Sequence, residues 1–191
     1  MTACRGALAD VIINSQSNLK KGDLEVQAFV CRVKPDGKND ISDQALRENT
    51  LYYGLADIPG LLDKSHTLES VRAAIDAVHP EYGPLREAKM FWIFSRTIRP
   101  GDLVLVPKRL PKERYVSYYL AETLGEAYAD MQYAETHTVY RRSVRWLNNK
   151  TALRREELPA DLIETINQPY NVRRTCLDVS DFAGAIIAAA K

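Results

Sequence analysis

Tyrosine, tryptophan and arginine side chains recur together along this chain, and that pairing of residue types suits the binding of nucleic acid. Tyr52, Tyr53, Trp92, Tyr115, Tyr128, Tyr133 and Tyr140 fall at the ends of apolar runs or between them. Basic residues gather at Arg96 and Arg99, at Lys108, Arg109, Lys112 and Arg114, and at Arg141, Arg142 and Arg145. An aromatic face stacks on a base, a contribution of about 1–3 kcal/mol per base, and Lys and Arg neutralise phosphates without reading sequence. Phe91, Phe94, Tyr118 and Trp146 have strongly apolar neighbours and read as core; for Tyr53, Trp92, Tyr128 and Tyr133, core and stacking are equally open. The basic clusters at Arg96, Lys108, Arg109, Arg141 and Arg142 flank the same apolar runs, so they are candidates for one phosphate-binding rim.

Catalytic chemistry finds less support. His66, His79 and His137 have no partner at metal-ligand spacing, which disfavours a zinc site or a Ser-His-Asp arrangement. Glu87-Ala88-Lys89 resembles the Glu-x-Lys half of a nuclease metal site, so a metal-dependent nuclease using Glu87 and Lys89 is a minor alternative. GxxxxGK[ST] and GxGxxG phosphate cradles are both absent. Neither a cofactor nor a metal is expected, and the expectation is a non-catalytic module. Cys4, Cys31 and Cys176 form no CxxC pair and suggest a reducing, cytoplasmic setting.

The elements that must carry these residues follow from periodicity. A possible short helix over 7–17 precedes a β-branched run at 25–33 that ends at Pro35-Asp36-Gly37, and a second strand is predicted at 49–55. Leu68, Val71, Ala74, Ile75 and Val78 recur at helical spacing, with Ser65 or Thr67 as cap and Pro80 beyond the end. A second helix is predicted at 87–95. Pro100-Gly101-Asp102 is a turn that launches a strand at 102–107, and a further strand follows at 115–123. A tyrosine-rich loop, a strand at 139–147, a short helix at 159–167 capped near Asp161 and a last strand at 172–177 complete the reading. Residues 182–191 read as the first turns of another helix.

The irregular order of strands and helices lacks a βαβ rhythm and points to α+β built on a curved sheet or small barrel with flanking helices. At 191 residues with 46% apolar content the chain can bury one full core. A net charge of +1 excludes a grossly cationic binder but leaves room for a local basic face. No apolar stretch approaches the roughly 18 residues that would suggest a membrane span, and residues 1–10 lack the pattern of a secretory signal.

In their order, 28-AFVCRV-33, 51-LYYGLADIPGLLD-63, 94-FSRTIRPGDLVLVPKR-109, 117-SYYLAETLGEAYAD-130 and 144-VRWLNNKTALRREEL-158 resemble the PUA-like fold of EVE and YTH domains. They are most similar to the amino-terminal modules of Mrr-type and McrB-type modification-dependent restriction systems. The resemblance divides the chain into an extension at 1–24, a recognition domain at 25–178 and a helical extension at 179–191 leading towards an effector. It implies a reader that flips a modified base of DNA into an aromatic cage, with a nuclease or NTPase on another domain or chain. Tyr52 and Tyr53 then fall near one cage position and Tyr128 or Tyr133 near another, while Arg32 falls at a polar contact. Leu55 stands where related modules often carry Trp after Gly54, so the pocket departs from the family there. The alternative within this resemblance is a YTH-like reader of methylated adenine in RNA.

Overall fold

The computed structural model describes residues 26–34, 39–55, 58–111 and 113–190. The expected helix at 7–17 and the turn at Pro35-Asp36-Gly37 lie outside them. The elements are β1 (Ala28–Cys31), α1 (Ser42–Glu48), β2 (Thr50–Tyr53), α2 (Leu68–Val78), α3 (Pro84–Trp92), β3 (Leu103–Lys108), β4 (Ser117–Thr123), β5 (Tyr128–Ala129), β6 (Tyr140–Trp146), α4 (Ala160–Asn167), β7 (Cys176–Asp178) and α5 (Ala183–Ala189). The strands form one mixed sheet in the order β2-β6-β4-β3-β1-β7, with β5 also paired to β6. Only β1 and β3 pair in parallel among the described strands. The sheet curls into a half-barrel, so the architecture is α+β, with a strongly curved sheet and flanking helices.

The central strands are continuous apolar runs because both faces of the sheet are covered. Phe29, Cys31, Val104 and Val106 face one core with Val71 and Ile75 of α2 and Phe91 of α3. Ala28, Val30, Leu103 and Leu105 face the other, with Leu162, Ile163 and Ile166 of α4 and Ile186 of α5. Side chains alternate across a strand, so each face takes every second residue, and burial on both sides removes the polar half of the pattern. Cys31 and Cys176 are register partners with free, buried thiols 3.4 Å apart.

Local chemistry sets the ends of the elements. Thr67 and Ser70 form a reciprocal capping box: Thr67 Oγ1 accepts from the Ser70 amide at 3.2 Å and Ser70 Oγ from the Thr67 amide at 2.9 Å. Gly83, at φ +67°, turns the chain into α3, and Pro84 starts that helix where its missing N–H costs nothing. The expected helix at 87–95 is thus observed one turn earlier. It is followed by a π-helical turn over Ile93–Thr97. At the start of β3, Gly101 supplies φ +93°, and Asp102 accepts from the Arg99 amide at 2.7 Å and the Gln27 amide at 3.1 Å. The carboxylate therefore ties the turn to the chain entering β1. For α4 the cap position is Pro159, and Asp161 lies in the first turn instead of capping it. The tyrosine-rich loop contains a two-residue strand, β5, followed by a 3-10 turn.

Candidate functional site

The pairing of β2 with β6 decides which aromatic and basic residues meet. Tyr52 faces Arg141 in register, and Tyr53 faces Tyr140. Successive residues of a strand point to opposite faces. Tyr52 and Tyr53 therefore cannot share one cage, and the expected cage separates into two sites.

On one face, Arg141 fills the aromatic cluster. Its guanidinium lies 5.0 Å from the Tyr52 ring centroid and 3.9 Å from that of Tyr133. It also donates to Glu48 Oε2 at 2.7 Å, and the Tyr52 hydroxyl donates to the same oxygen at 2.5 Å. Burial, and then the hydrogen bond to Glu48, push the Tyr52 hydroxyl pKa up, while the Tyr52 hydrogen bond leads the causes that hold the Glu48 carboxyl down. Tyr128 is register partner to Arg141 from β5. The aromatic faces expected to hold a base hold a cation of the protein itself.

On the other face, Tyr53 is 1% exposed and its ring packs on Phe91 and Phe94, at centroid distances of 5.4 and 5.3 Å. It offers no stacking face. Its hydroxyl donates to Glu87 Oε1 at 2.6 Å and marks the floor of a cleft of about 450 Å³. Gly54 and Leu55 form one side of that cleft, Leu55 being held at φ +63°, a left-handed conformation uncommon for a side chain of its type. His79 and Tyr82 line it as a stacked pair, with ring centroids 4.3 Å apart and planes within 6°. Lys34, Arg86, His137 and Arg173 also line it, as do Met90, Thr175 and Glu81, whose carboxylate lies 3.2 Å from His79 Nδ1. The volume falls within the roughly 300–1,000 Å³ typical of small-molecule pockets.

Glu87 projects into this cleft from the first turn of α3. Burial raises its pKa, opposed in order by the Tyr53 hydrogen bond and by attraction to Arg86 and His79. Lys89, two residues on, is exposed and lines a second groove of about 510 Å³ between α2 and α3. The two residues of the Glu-x-Lys pattern thus line different depressions. Among the described residues no three His, Cys, Asp or Glu side chains gather to hold a metal ion. The second groove shares Arg86 and Met90 with the cleft and carries Arg72, Lys89 and Arg174. Cations therefore run from one depression to the next, beside the carboxylates of Glu81 in the cleft and Asp76 in the groove.

Most of the remaining basic candidates are engaged within the fold. Arg142 is fully buried on the Tyr53 face and donates to Phe94 O at 2.7 Å and Gly125 O at 2.6 Å. It clasps the π-helical turn to the loop before β5. Desolvation lowers its pKa. Arg141 is 5% exposed. Both arginines of the expected phosphate rim are thus buried, one on each face of β6, and hydrogen-bonded within the fold. Arg96 donates to Leu62 O and Asp63 O at 2.9 and 2.6 Å and lies over Trp92, and Lys108 pairs with Asp43. Arg109 is exposed. Arg32 donates to Arg174 O at 2.6 Å, bracing the segment that carries Arg173 and Arg174 instead of lining the cleft.

Of the expected base-binding residues, Tyr53 and Leu55 line the cleft; Tyr52, Tyr128 and Tyr133 surround Arg141 on the other face, and Trp92 lies apart on α3. His79, Tyr82, Arg86, Glu87 as a cleft residue, and Arg173 were not among the expected binding set. Their spacing along the chain gives no motif, because the stretch at 79–87 and Arg173 lie far apart in sequence and meet only in the fold. Among the described residues no helix is long and apolar enough to cross a membrane. Comparisons with family models, curated proteins and solved structures find no match to this chain.

Proposed function

We propose that this protein is a non-catalytic reader of modified DNA that accepts an extruded base in the Tyr53–Leu55 cleft. The observation that carries the reading is one cleft with three kinds of surface: a hydrogen-bonding floor at Tyr53 and Glu87, an aromatic pair at His79 and Tyr82, and cations at Lys34, Arg86 and Arg173. A flipped base needs an edge to be read, a face to stack on and charges to hold its phosphates. The sequence resemblance to PUA-like modules of restriction systems supports the same reading. Tyr82, 42% exposed, supplies the stacking surface that Tyr53 lacks. Phosphates flanking the base run along Arg86 and Arg173 towards Lys89, Arg174 and Arg72. Cleavage or signalling belongs to another domain or chain.

The test is binding to matched oligonucleotides that are unmodified or carry N6-methyladenine, 5-methylcytosine or 5-hydroxymethylcytosine, each as DNA and as RNA. One modified DNA is expected to bind at least tenfold tighter than its unmodified counterpart at the same salt concentration. Equal affinity throughout the panel contradicts the proposal, and preference for a modified RNA transfers it to the YTH-like alternative.

A further inference from the structure

We infer that Glu87 reads the exocyclic amino group of the bound base, so the cleft takes amino-bearing bases of the cytosine or adenine class and rejects their oxo counterparts. This inference rests on the base-reading function proposed above. Its physical basis is the way the floor of the cleft is wired. The Tyr53 ring is fixed between Phe91 and Phe94, and its hydroxyl hydrogen is committed to Glu87 Oε1 at 2.6 Å, with Glu87 O more distant at 3.5 Å. That commitment leaves phenol and carboxylate lone pairs as the polar character of the floor. An ionised carboxylate only accepts hydrogen bonds, and it has two oxygens to satisfy.

An amino group of cytosine or adenine supplies a donor to such a carboxylate, whereas a thymine- or hypoxanthine-type oxygen meets acceptor with acceptor. Glu87 is only partly exposed. Arg86 and His79 act on it through attraction at a distance, and the sole hydrogen bond among the causes acting on its pKa comes from a neutral phenol. A group in this position gains when a ligand brings a further donor and loses when a ligand displaces water without one. Its placement on a helix, held by a core tyrosine, gives the carboxylate the fixed position that discrimination requires. A simple structural tie between α3 and β2 would use the same Tyr53–Glu87 bond, but it would have no influence on which base is bound.

The experiment compares the intact chain with Glu87→Gln and Tyr53→Phe, using DNA oligonucleotides in amino and oxo pairs: 5-methylcytosine against thymine, 5-hydroxymethylcytosine against 5-hydroxymethyluracil, and N6-methyladenine against hypoxanthine. Glutamine keeps the length and an acceptor for Tyr53 while adding a donor. The unchanged chain is expected to favour the amino member of its preferred pair by about ten- to a hundredfold. Glu87→Gln reduces that ratio at least tenfold or reverses it, and Tyr53→Phe, which frees the carboxylate, also lowers it. Thermal unfolding identifies folded material; if Glu87→Gln does not fold, the ratio for Tyr53→Phe decides. A folded variant that keeps the full ratio overturns the inference, as does an unchanged chain that binds both members equally or prefers the oxo base. Absence of preference for any modified DNA overturns the base-reading function itself, so the two failures are distinguishable.

Discussion

The two faces of the β2–β6 ladder carry similar residues and differ in whether a side chain of the protein fills the space beside the rings. Around Arg141, the rings of Tyr52 and Tyr133 and the carboxylate of Glu48 surround a guanidinium that belongs to the fold. Around Glu87, a tyrosine hydroxyl, a stacked aromatic pair and three cations surround a cleft. A collection of tyrosines and arginines is thus no measure of binding capacity. What matters is whether the rings are already covered, because aromatic faces occupied by the protein's own guanidinium stabilise the fold and leave a base little surface to stack on.

The comparison breaks most visibly through stability. Tyr53→Ala and Arg142→Ala, on the face buried against α3, are each expected to lower folding stability by about 3–5 kcal/mol, the first by opening a cavity and the second by leaving the Phe94 and Gly125 carbonyls without their charged donor. Urea denaturation measures both. A variant at Arg142 that keeps its unfolding midpoint but loses DNA affinity would restore that residue to the phosphate rim. Arg141→Ala is expected to cost about 1–3 kcal/mol by the same measurement, through the lost Glu48 bond and ring contacts, while the salt dependence of DNA binding stays unchanged.

Opposite behaviour is expected at the cleft. Arg173→Ala and Arg86→Ala should change stability by less than about 0.5 kcal/mol, yet weaken binding to every DNA sequence and reduce the salt slope by roughly one unit each. Fluorescence anisotropy over a salt series reads this directly.

The smallest effect is the pH dependence of stability at Glu87. Burial raises its carboxyl above the ordinary 4.5, so the folded chain holds this proton more firmly than the unfolded chain. The stabilising contribution of Glu87 is therefore greatest in acid and is lost as pH rises through its folded value. Glu87→Gln is expected to gain on the unchanged chain as pH rises above the ordinary 4.5, where a constant difference would mean that burial does not raise this carboxyl.

Elements whose sequence pattern matches a single environment were legible. The apolar positions of α2 recur at helical spacing, and the expected helix coincides with the observed Leu68–Val78, with Thr67 the cap of the two expected candidates, Ser65 and Thr67. The apolar runs of β1 and β3 likewise identify buried strands. Helix α1 was missed because, of its side chains, only Ser42 and Ala45 are buried, leaving no apolar stripe to recognise. Alternation in β2 already implied that Tyr52 and Tyr53 diverge, but which tyrosine faced a cleft depended on α3, and Glu87 gained its tyrosine partner only when α3 docked on the sheet. The cations of the cleft come from Lys34, Arg86 and Arg173, positions that no local period connects.

The contrast between the faces is tested most directly by the affinity ratio of modified to unmodified DNA, measured side by side for Tyr82→Ala and Tyr133→Ala. Loss of the stacking surface at Tyr82 is expected to cost the modified oligonucleotide about 1–3 kcal/mol, a drop in the ratio of roughly five- to a hundredfold, while Tyr133→Ala leaves the ratio within about twofold. A ratio that collapses in Tyr133→Ala and survives in Tyr82→Ala would place the base on the Arg141 face and contradict the account.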